Sequence, residues 1–244
     1  MPKTFVITGA GVGLGRALAR RFAAEGDNVV LLGRTLAKLE AAAADIGERA
    51  LAVHCDVASP DSVREAFATI ANTYSGIDVL INNAAIFQPF LLKDATDDQI
   101  INSVSTNLIG TMLCCRAAIP LMGRGSHIIN VSSESVEIPL PHLSVYQSSK
   151  AGVERLTQSL FRELEPDGIR VSVVRAGSMY EEGKAWDVDP DAHKAFAMAA
   201  MARGINLRES PISQFDAVTD VFRSLIDLPA DLHAVTVTLH ARKP

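Results

Sequence analysis

The feature that most constrains the fold of this chain is a regular alternation of short apolar runs with helical patterns. The apolar runs are β-rich and nearly continuous, at residues 3–8, 28–32, 50–55, 77–82, 127–132, 170–174 and 234–239. Helical patterns occupy residues 14–25, 36–46, 97–122, 144–164 and 214–226, with a further helix start at Ser59-Pro60. Continuously apolar strands that alternate with helices indicate a parallel sheet covered on both faces. The sequence therefore predicts an α/β fold, a three-layer doubly wound (Rossmann) arrangement with a mostly parallel seven-stranded sheet.

Composition bounds the class of protein. The 244 residues fit one α/β domain, residues 1–244, with an irregular substrate-loop insertion at about 178–212. A net charge of −5 without a basic stripe argues against nucleic-acid binding. Three cysteines without a CxxC motif argue against a disulfide scaffold or a zinc site, so no metal is expected. With no visible signal peptide and no apolar run near the roughly 18 residues of a membrane span, we expect a cytoplasmic protein without membrane contact.

A glycine-rich turn joins the first strand to the first helix. Its sequence runs from Thr8 to Gly15 as Thr-Gly-Ala-Gly-Val-Gly-Leu-Gly. The spacing Gly-x-Gly-x-x-Gly fits no register, whereas Thr-Gly-x-x-x-Gly-x-Gly fits, with glycines at 9, 13 and 15. Backbone amides exposed at a helix N-terminus suit a pyrophosphate, so the turn is a candidate dinucleotide site. The alternative is a turn that only reverses the chain.

The end of the second strand is expected to choose between the two nicotinamide dinucleotides. A carboxylate there would accept a hydrogen bond from a free ribose 2′-hydroxyl, but the chain has Gly33-Arg34-Thr35. A guanidinium instead pairs with a 2′-phosphate through charged hydrogen bonds. The sequence therefore favours NADP over NAD, the alternative being a solvated surface arginine.

Tyr146 and Lys150 are four residues apart in a predicted helix, so their side chains share one face. A phenol normally titrates near pH 10 and transfers protons poorly at neutral pH. An ammonium at about 4 Å would favour the phenolate by roughly 4 kcal/mol at an effective dielectric constant near 20. We therefore expect Lys150 to lower the pKa of Tyr146 so that the phenol can act as a general acid and base.

Taken in order, these residues resemble the single-domain short-chain dehydrogenase/reductase family over nearly the whole chain. The markers are Thr8–Gly15, Asp56-Val57, Asn82-Asn83-Ala84, Asn107, Ser133, Tyr146 and Lys150, with Tyr146 thirteen residues after Ser133. The resemblance implies catalytic roles for Asn107, Ser133, Tyr146 and Lys150. It also implies that the cofactor contacts Thr8, Gly9, Gly13, Leu14, Gly15, Arg34, Thr35, Asp56, Val57, Asn83, Ala84, Tyr146, Lys150 and Gly177.

The implied roles are specific, and several have structural alternatives. Tyr146 would transfer the proton, Ser133 would hydrogen-bond the reacting oxygen, and Lys150 would hold the nicotinamide ribose. Asn107 would hold a water that links Lys150 to solvent, Asp56 would accept from the adenine amino group, and Asn83 would line the adenosine pocket. Alternatively, Asn107 bends a helix, Ser133 makes a strand-end turn, and Asp56 caps the next helix.

The chain departs from the family pattern at four places. Ala85 replaces the usual glycine after Asn-Asn-Ala, and Ala176-Gly177 replaces a Pro-Gly pair. Glu181 stands where a threonine would contact the nicotinamide carboxamide, with Ser178 as a possible substitute. The glycine-rich segment common near the last strand is missing. The loop after the sixth strand is therefore expected to run differently.

Three loops at the carboxyl ends of the strands are expected to choose the substrate: residues 86–91, 134–143 and 179–212. The first and third contain Phe87, Phe90, Met179, Tyr180, Trp186, Phe196, Met198 and Met201. They favour an apolar or aromatic ketone, aldehyde or secondary alcohol, unless residues 195–202 are only a helix packed on the domain. Glu134 and His142 receive no role.

The function expected from the sequence is an NADP(H)-dependent oxidoreductase. The alternatives are a catalytically silent dinucleotide sensor on the same fold and a sugar-nucleotide epimerase or dehydratase. Family analogy adds a homodimer or homotetramer, assembled through the helix at residues 144–164.

Overall fold

Seven parallel strands form the central sheet of the computed structural model, which describes residues 2–180, 188–207 and 209–242. In chain order the strands are β1 (Thr4–Thr8), β2 (Asn28–Gly33), β3 (Ala50–His54), β4 (Val79–Asn82), β5 (His127–Ser133), β6 (Arg170–Ala176), β7 (Met179–Tyr180), β8 (Ser213–Gln214) and β9 (Thr236–Thr238). The sheet has the order β3-β2-β1-β4-β5-β6-β9, and β7 pairs with β8 in a separate parallel ribbon. The predicted doubly wound parallel fold is confirmed.

Helices cover both faces of this sheet. They are α1 (Gly13–Ala24), α2 (Leu36–Ile46), α3 (Pro60–Thr73), α4 (Asp97–Val104), α5 (Gly110–Ala118), α6 (Ser144–Leu164), α7 (Pro190–Met201) and α8 (Phe215–Ile226). Single 3₁₀ turns lie at Leu92–Asp94, Ile119–Leu121 and Glu134–Val136. Apart from the long helix at 97–122 and the insertion, the predicted strands and helices end within two residues of the observed ones.

The two faces of the sheet bury separate cores because alternate side chains of a strand point in opposite directions. In β1, Phe5 and Ile7 pack with α1 and α8, and the Phe5 ring stacks on Phe22 with centroids 4.2 Å apart. Val6 points the other way, into a core shared with α3, α5 and α6. All three β1 side chains are fully buried. A strand enclosed on both sides needs the continuous apolar run that the sequence shows.

The predicted helix at residues 97–122 contains a π turn. The turn spans Ser105–Ile109 between α4 and α5, and the Gly110 N–H donates to the Ser105 carbonyl five residues earlier. Asn107 lies in this turn with no exposed surface. A wider turn of this kind is frequent at functional sites and re-aims the side chains it contains.

The same helical run, Asp97–Leu121, is long and apolar enough by length and composition to cross a bilayer. The expectation that no run approaches that length is therefore wrong. Within the domain the run packs against α3 and α6, which is typical of a core helix.

The carboxyl ends of the strands meet along one edge of the sheet. β1 pairs with β2 on one side and with β4 on the other. The order in which successive strands are added to the sheet therefore reverses at β1. In doubly wound folds a crevice opens at this switch point, and ligands bind there. Thr8, Gly33, Asn82, Ser133 and Ala176 end their strands at this edge.

Candidate active site

The glycine-rich turn between β1 and α1 has the geometry of an anion site. Gly9 and Gly13 have φ angles of 67° and 60°, a left-handed conformation that glycine adopts without strain. A Cβ on Gly15 would lie 2.6 Å from the Gly9 carbonyl oxygen, so the turn packs tightly on itself. At Val12, the residue before α1, no side chain caps the helix. The first amides of α1, including that of Leu14, are therefore available to a negatively charged group.

Residues after β4 brace this turn. The Thr8 hydroxyl accepts from the backbone N–H groups of Asn83 and Ala84, each at 3.0 Å. The Asn83 side-chain amide donates to the carbonyls of Thr8 at 3.0 Å and Gly9 at 3.4 Å. The Asn83 side chain therefore fixes the shape of the glycine turn, and its place in an adenosine pocket stays a prediction. The methyl of Ala85, which differs from the family pattern, is exposed.

Two basic residues lie just beyond the carboxyl end of β2, the strand end where the ribose of a bound dinucleotide is expected. Arg34 is exposed at the end of β2 and makes no ion pair with any residue that the structure describes. Thr35 is the residue before α2, and its hydroxyl makes no capping hydrogen bond. Lys38, one turn into α2, has its Cβ 3.3 Å from where a Cβ of Gly11 would lie. Lys38 was not among the predicted cofactor residues, although its place three residues after Thr35 is a signal in the sequence.

Asp56, the predicted adenine contact, closes a turn after β3, and its contact with adenine stays a prediction. Asp56 Oδ1 accepts from the Ala58 N–H at 3.0 Å and closes the turn before α3. Ser59 is the residue that caps α3, since its hydroxyl accepts from the Ser62 N–H. The alternative in which Asp56 caps the helix is therefore wrong. Val57 is buried against α5, because a Cβ on Gly110 would lie 2.8 Å from its methyl.

Ser133 and Tyr146 lie side by side, as the resemblance implies. Ser133 ends β5 and Tyr146 is in the first turn of α6. Burial raises the pKa of Tyr146, and a hydrogen bond with the Ser133 side chain partly opposes that rise. Ser133 also donates to the Ser135 hydroxyl at 2.9 Å and accepts from the Ser135 N–H at 3.2 Å. The two predicted reacting hydroxyls therefore form a connected pair.

Lys150 lies one turn further along α6 and is buried. Its ammonium donates to the Val131 carbonyl at 2.8 Å, and burial lowers its pKa to about 8. Desolvation of the phenol raises the pKa of Tyr146 in this structure, and the expected lowering of that pKa by Lys150 stays a prediction. The two residues share a helix face, but the ammonium is bonded elsewhere.

Asn107 connects two parts of the site. Its side-chain oxygen accepts from the Ile86 N–H at 2.7 Å, and its nitrogen donates to the Ile86 carbonyl at 3.0 Å. The same nitrogen donates to Ser149 Oγ at 3.1 Å, which in turn donates to the Tyr146 carbonyl at 2.7 Å. The Asn107 amide thus ties the loop after β4 to α6. The role expected for it, holding a water, stays a prediction.

An aromatic wall adjoins the phenol. Phe87 meets Tyr146 edge to face at 5.1 Å, and Phe196 of α7 meets Phe87 at 6.1 Å. Phe196 is buried, whereas Met198 and Met201 on the same helix are 65% and 49% exposed. The helix α7 therefore contributes one aromatic ring to the wall and turns its methionines away. Trp186 and Glu181 lie outside the described residues, as does the side chain of Tyr180.

Gly177, the last predicted cofactor residue, follows β6 beside the catalytic edge. A Cβ there would lie 2.6 Å from the Leu239 carbonyl oxygen and 3.2 Å from Glu134 Oε2. The loop therefore packs against the C-terminal strand. Across the described residues, no group of three His, Cys, Asp or Glu side chains could hold a metal ion.

Comparison with known proteins decides the family. The family model described as short chain dehydrogenase matches residues 3–185. The chain belongs to the short-chain dehydrogenase family. Carbonyl reductase family member 4 of Danio rerio is 30% identical over 230 residues, which cover 93% of this chain and 91% of that protein. The chloroplastic chlorophyll(ide) b reductase NOL of Arabidopsis thaliana is 37% identical over 185 residues, 71% of this chain and 53% of that protein.

A solved structure of the family supports the same assignment. A short chain dehydrogenase from Burkholderia cenocepacia, in complex with NADP, superimposes with a TM-score of 0.83 and 30% identity. The match covers 98% of this chain and 96% of that one. The short-chain dehydrogenase described here is therefore an oxidoreductase of a family that binds NAD or NADP.

Proposed function

We propose that this short-chain dehydrogenase is an NADP(H)-dependent oxidoreductase. It would interconvert a small apolar or aromatic ketone or aldehyde and the corresponding alcohol. The observation that carries the proposal is the juxtaposition of the Ser133 and Tyr146 hydroxyls at the sheet edge that also holds the uncapped glycine turn. The nicotinamide supplies or accepts the hydride when it is bound.

Tyr146 is suited to give a proton to the reacting oxygen. Because burial raises its pKa, the phenol is protonated at neutral pH, as a general acid in carbonyl reduction must be. The Ser133 hydroxyl would donate a second hydrogen bond to the same oxygen and stabilise its developing negative charge. In the oxidative direction Tyr146 accepts the proton, while Ser133 still donates to the reacting oxygen.

Lys150 is the residue whose environment most favours a cofactor contact. A buried ammonium with a pKa of about 8 keeps its charge at neutral pH at a cost in free energy. Hydroxyl groups of the nicotinamide ribose would offer this ammonium acceptors in addition to the Val131 carbonyl. Binding of the dinucleotide would then stabilise the charge on Lys150.

The choice of NADP rests on charge at the end of β2. Arg34 is exposed without an ion-pair partner in the described part of the chain, and the Cβ of Lys38 lies beside Gly11 of the glycine turn. A 2′-phosphate would meet two cations there and no neighbouring carboxylate in residues 33–38. The complex of the Burkholderia relative with NADP agrees with this choice.

The substrate class rests on the aromatic wall. Phe87 and Phe196 form one side of the space next to Tyr146, and aromatic edges favour apolar and aromatic groups. The name of the zebrafish relative, a carbonyl reductase family member, agrees with a carbonyl substrate.

A substrate panel tests the proposal. NADPH oxidation is followed at 340 nm with aliphatic, aromatic and anionic ketones and aldehydes. We expect turnover of aromatic carbonyl compounds with kcat/KM at least tenfold above that of carboxylated or phosphorylated analogues. Turnover of only the anionic compounds would contradict the substrate class. Binding of NADPH without turnover of any compound would instead favour the dinucleotide sensor.

A further inference from the structure

The loop that follows β6 lies next to the catalytic serine. Ala176, the last residue of β6, pairs with Ser133 in the sheet register. Gly177 and Ser178 come next, and Ser178 leads into β7 at the start of the substrate-loop insertion. The position of this short loop therefore sets where the whole insertion begins relative to Ser133.

Glu134, the residue after Ser133, holds this loop. Its Oε1 accepts from the Ser178 N–H at 3.2 Å. Its Oε2 lies 2.9 Å from His240 Nδ1, which must donate because a carboxylate offers only acceptors. One carboxylate thus engages two segments that are 44 and 106 residues away in sequence.

The C-terminal segment, residues 239–240, also contacts the loop that Glu134 holds. The Leu239 N–H donates to the Arg175 carbonyl at 2.9 Å, and the Leu239 carbonyl lies against Gly177 without room for a side chain. On the other side of the loop, the Ser213 N–H of β8 donates to the Ser178 carbonyl at 3.0 Å. The loop is therefore held by the catalytic strand, by the C-terminal segment and by the far end of the insertion.

We propose that Glu134 is a positioning residue that fixes the root of the substrate-loop insertion and the C-terminal segment, residues 239–240, against catalytic Ser133. The kinetic part of this proposal rests on the proposed oxidoreductase function, whereas its structural part does not. The loop lacks the proline that its family relatives are expected to have before Gly177, and Glu134 supplies a tie from outside the loop. His240 thereby becomes part of the active-site support, although it lies four residues from the end of the chain.

The chemistry of glutamine separates positioning from simple packing. In Glu134→Gln the amide oxygen can still accept from the Ser178 N–H, and the amide N–H₂ can donate to His240 in its other tautomer. Glu134→Ala removes both hydrogen bonds. Glu137→Ala is the matched control, because Glu137 directly follows the same 3₁₀ turn but pairs with Arg175 instead of the loop.

The experiment combines hydrogen exchange with kinetics on the full-length protein. We expect Glu134→Ala to speed amide exchange about tenfold or more in peptides covering residues 176–180 and 236–242 together. With the best carbonyl substrate of the panel, KM rises about tenfold while kcat stays within about threefold. Glu134→Gln and Glu137→Ala behave like the parent in both measurements.

Unchanged exchange in both peptides of Glu134→Ala would overturn the proposal, whatever the activity. A parent protein without turnover would refute the oxidoreductase function but leave the exchange measurement decisive. If Glu134→Ala fails to fold, His240→Ala replaces it, and faster exchange is expected in residues 236–242, because this variant removes only the bond between Glu134 and His240. Unchanged exchange in that peptide would then overturn the proposal.

Discussion

Tyr146 obtains its proton affinity from burial, and this has consequences for each residue around it. Desolvation raises its pKa, while the Ser133 hydroxyl lowers it by a hydrogen bond. Lys150 is itself desolvated and bonded to Val131. At the scale of single residues the site therefore holds a protonated phenol and a buried cation, an arrangement suited to carbonyl reduction.

Arg34 provides a residue-scale prediction about the cofactor. We expect Arg34→Ala to lower kcat/KM with NADPH by about 10- to 100-fold, because charged hydrogen bonds to a phosphate are lost. The value with NADH should change less than threefold. Lys38→Ala should show the same selectivity with a smaller loss. Steady-state kinetics with both cofactors makes the measurement.

The control for Arg34→Ala is Arg49→Ala. Arg49 is an exposed arginine just before β3, at the amino ends of the strands, whereas Arg34 follows the carboxyl end of β2. Arg49→Ala should leave kcat/KM unchanged with both NADPH and NADH. An equal loss of kcat/KM with NADH and NADPH in Arg34→Ala would remove the argument for a 2′-phosphate contact.

At the scale of elements, local patterns determined most of the strands and helices, and distant contacts determined the rest. The helix α7 was expected only as an alternative at residues 195–202, and its start was missed, although Asp189 caps it and Pro190 occupies its first turn. That start signal is local and could have been read from the sequence. The π turn around Asn107 could not, because the hydrogen bonds of Asn107 to Ile86 and Ser149 come from other parts of the chain.

The amino ends of β5 and β6 carry a buried histidine that should make stability depend on pH. His127 Nε2 lies 2.8 Å from Ser172 Oγ, which donates to the Ala234 carbonyl. His127 is 1% exposed, and burial is the main cause that lowers its pKa to about 3 from an ordinary value of 6.5. His233, which is close by, has its pKa lowered in the same direction.

The direction in which stability changes with pH follows from proton binding by His127. Between pH 6.5 and 3 the unfolded chain protonates His127 and the folded protein does not, so stability is complete above pH 6.5 and decreases as pH falls. One such proton contributes up to about 1.4 kcal/mol per pH unit. We expect the free energy of unfolding in urea to fall less steeply between pH 7 and 5 in His127→Gln than in the parent. Identical slopes would contradict this prediction.

At the scale of the whole molecule, the fold and the order of the site residues were predictable, but the loops that shape the pocket were not. Alternating apolar runs and amphipathic helices were enough for the doubly wound sheet, because parallel strands need cover on both faces. The catalytic edge followed, since carboxyl ends of parallel strands meet there. The junction of Glu134 with Ser178 and His240 depends on contacts between segments far apart in sequence, which no local pattern encodes.

The surface of the molecule also bears on assembly. Ile101, Ile109 and Met112 are 58%, 43% and 42% exposed along the helical run that contains the π turn. That run packs against α6, the helix expected to mediate dimers or tetramers. Assembly through this region stays a prediction.

The most direct measurement compares NADPH-dependent reduction of the best panel substrate by the parent and by Tyr146→Phe, alongside NADPH binding by fluorescence. We expect Tyr146→Phe to lose at least about 100-fold in kcat, because the general acid is gone, while the Kd for NADPH stays within threefold. Tyr74→Phe, at the far end of α3, should match the parent. A Tyr146→Phe protein that keeps more than a tenth of the parent rate would contradict the assignment of Tyr146 as the proton donor.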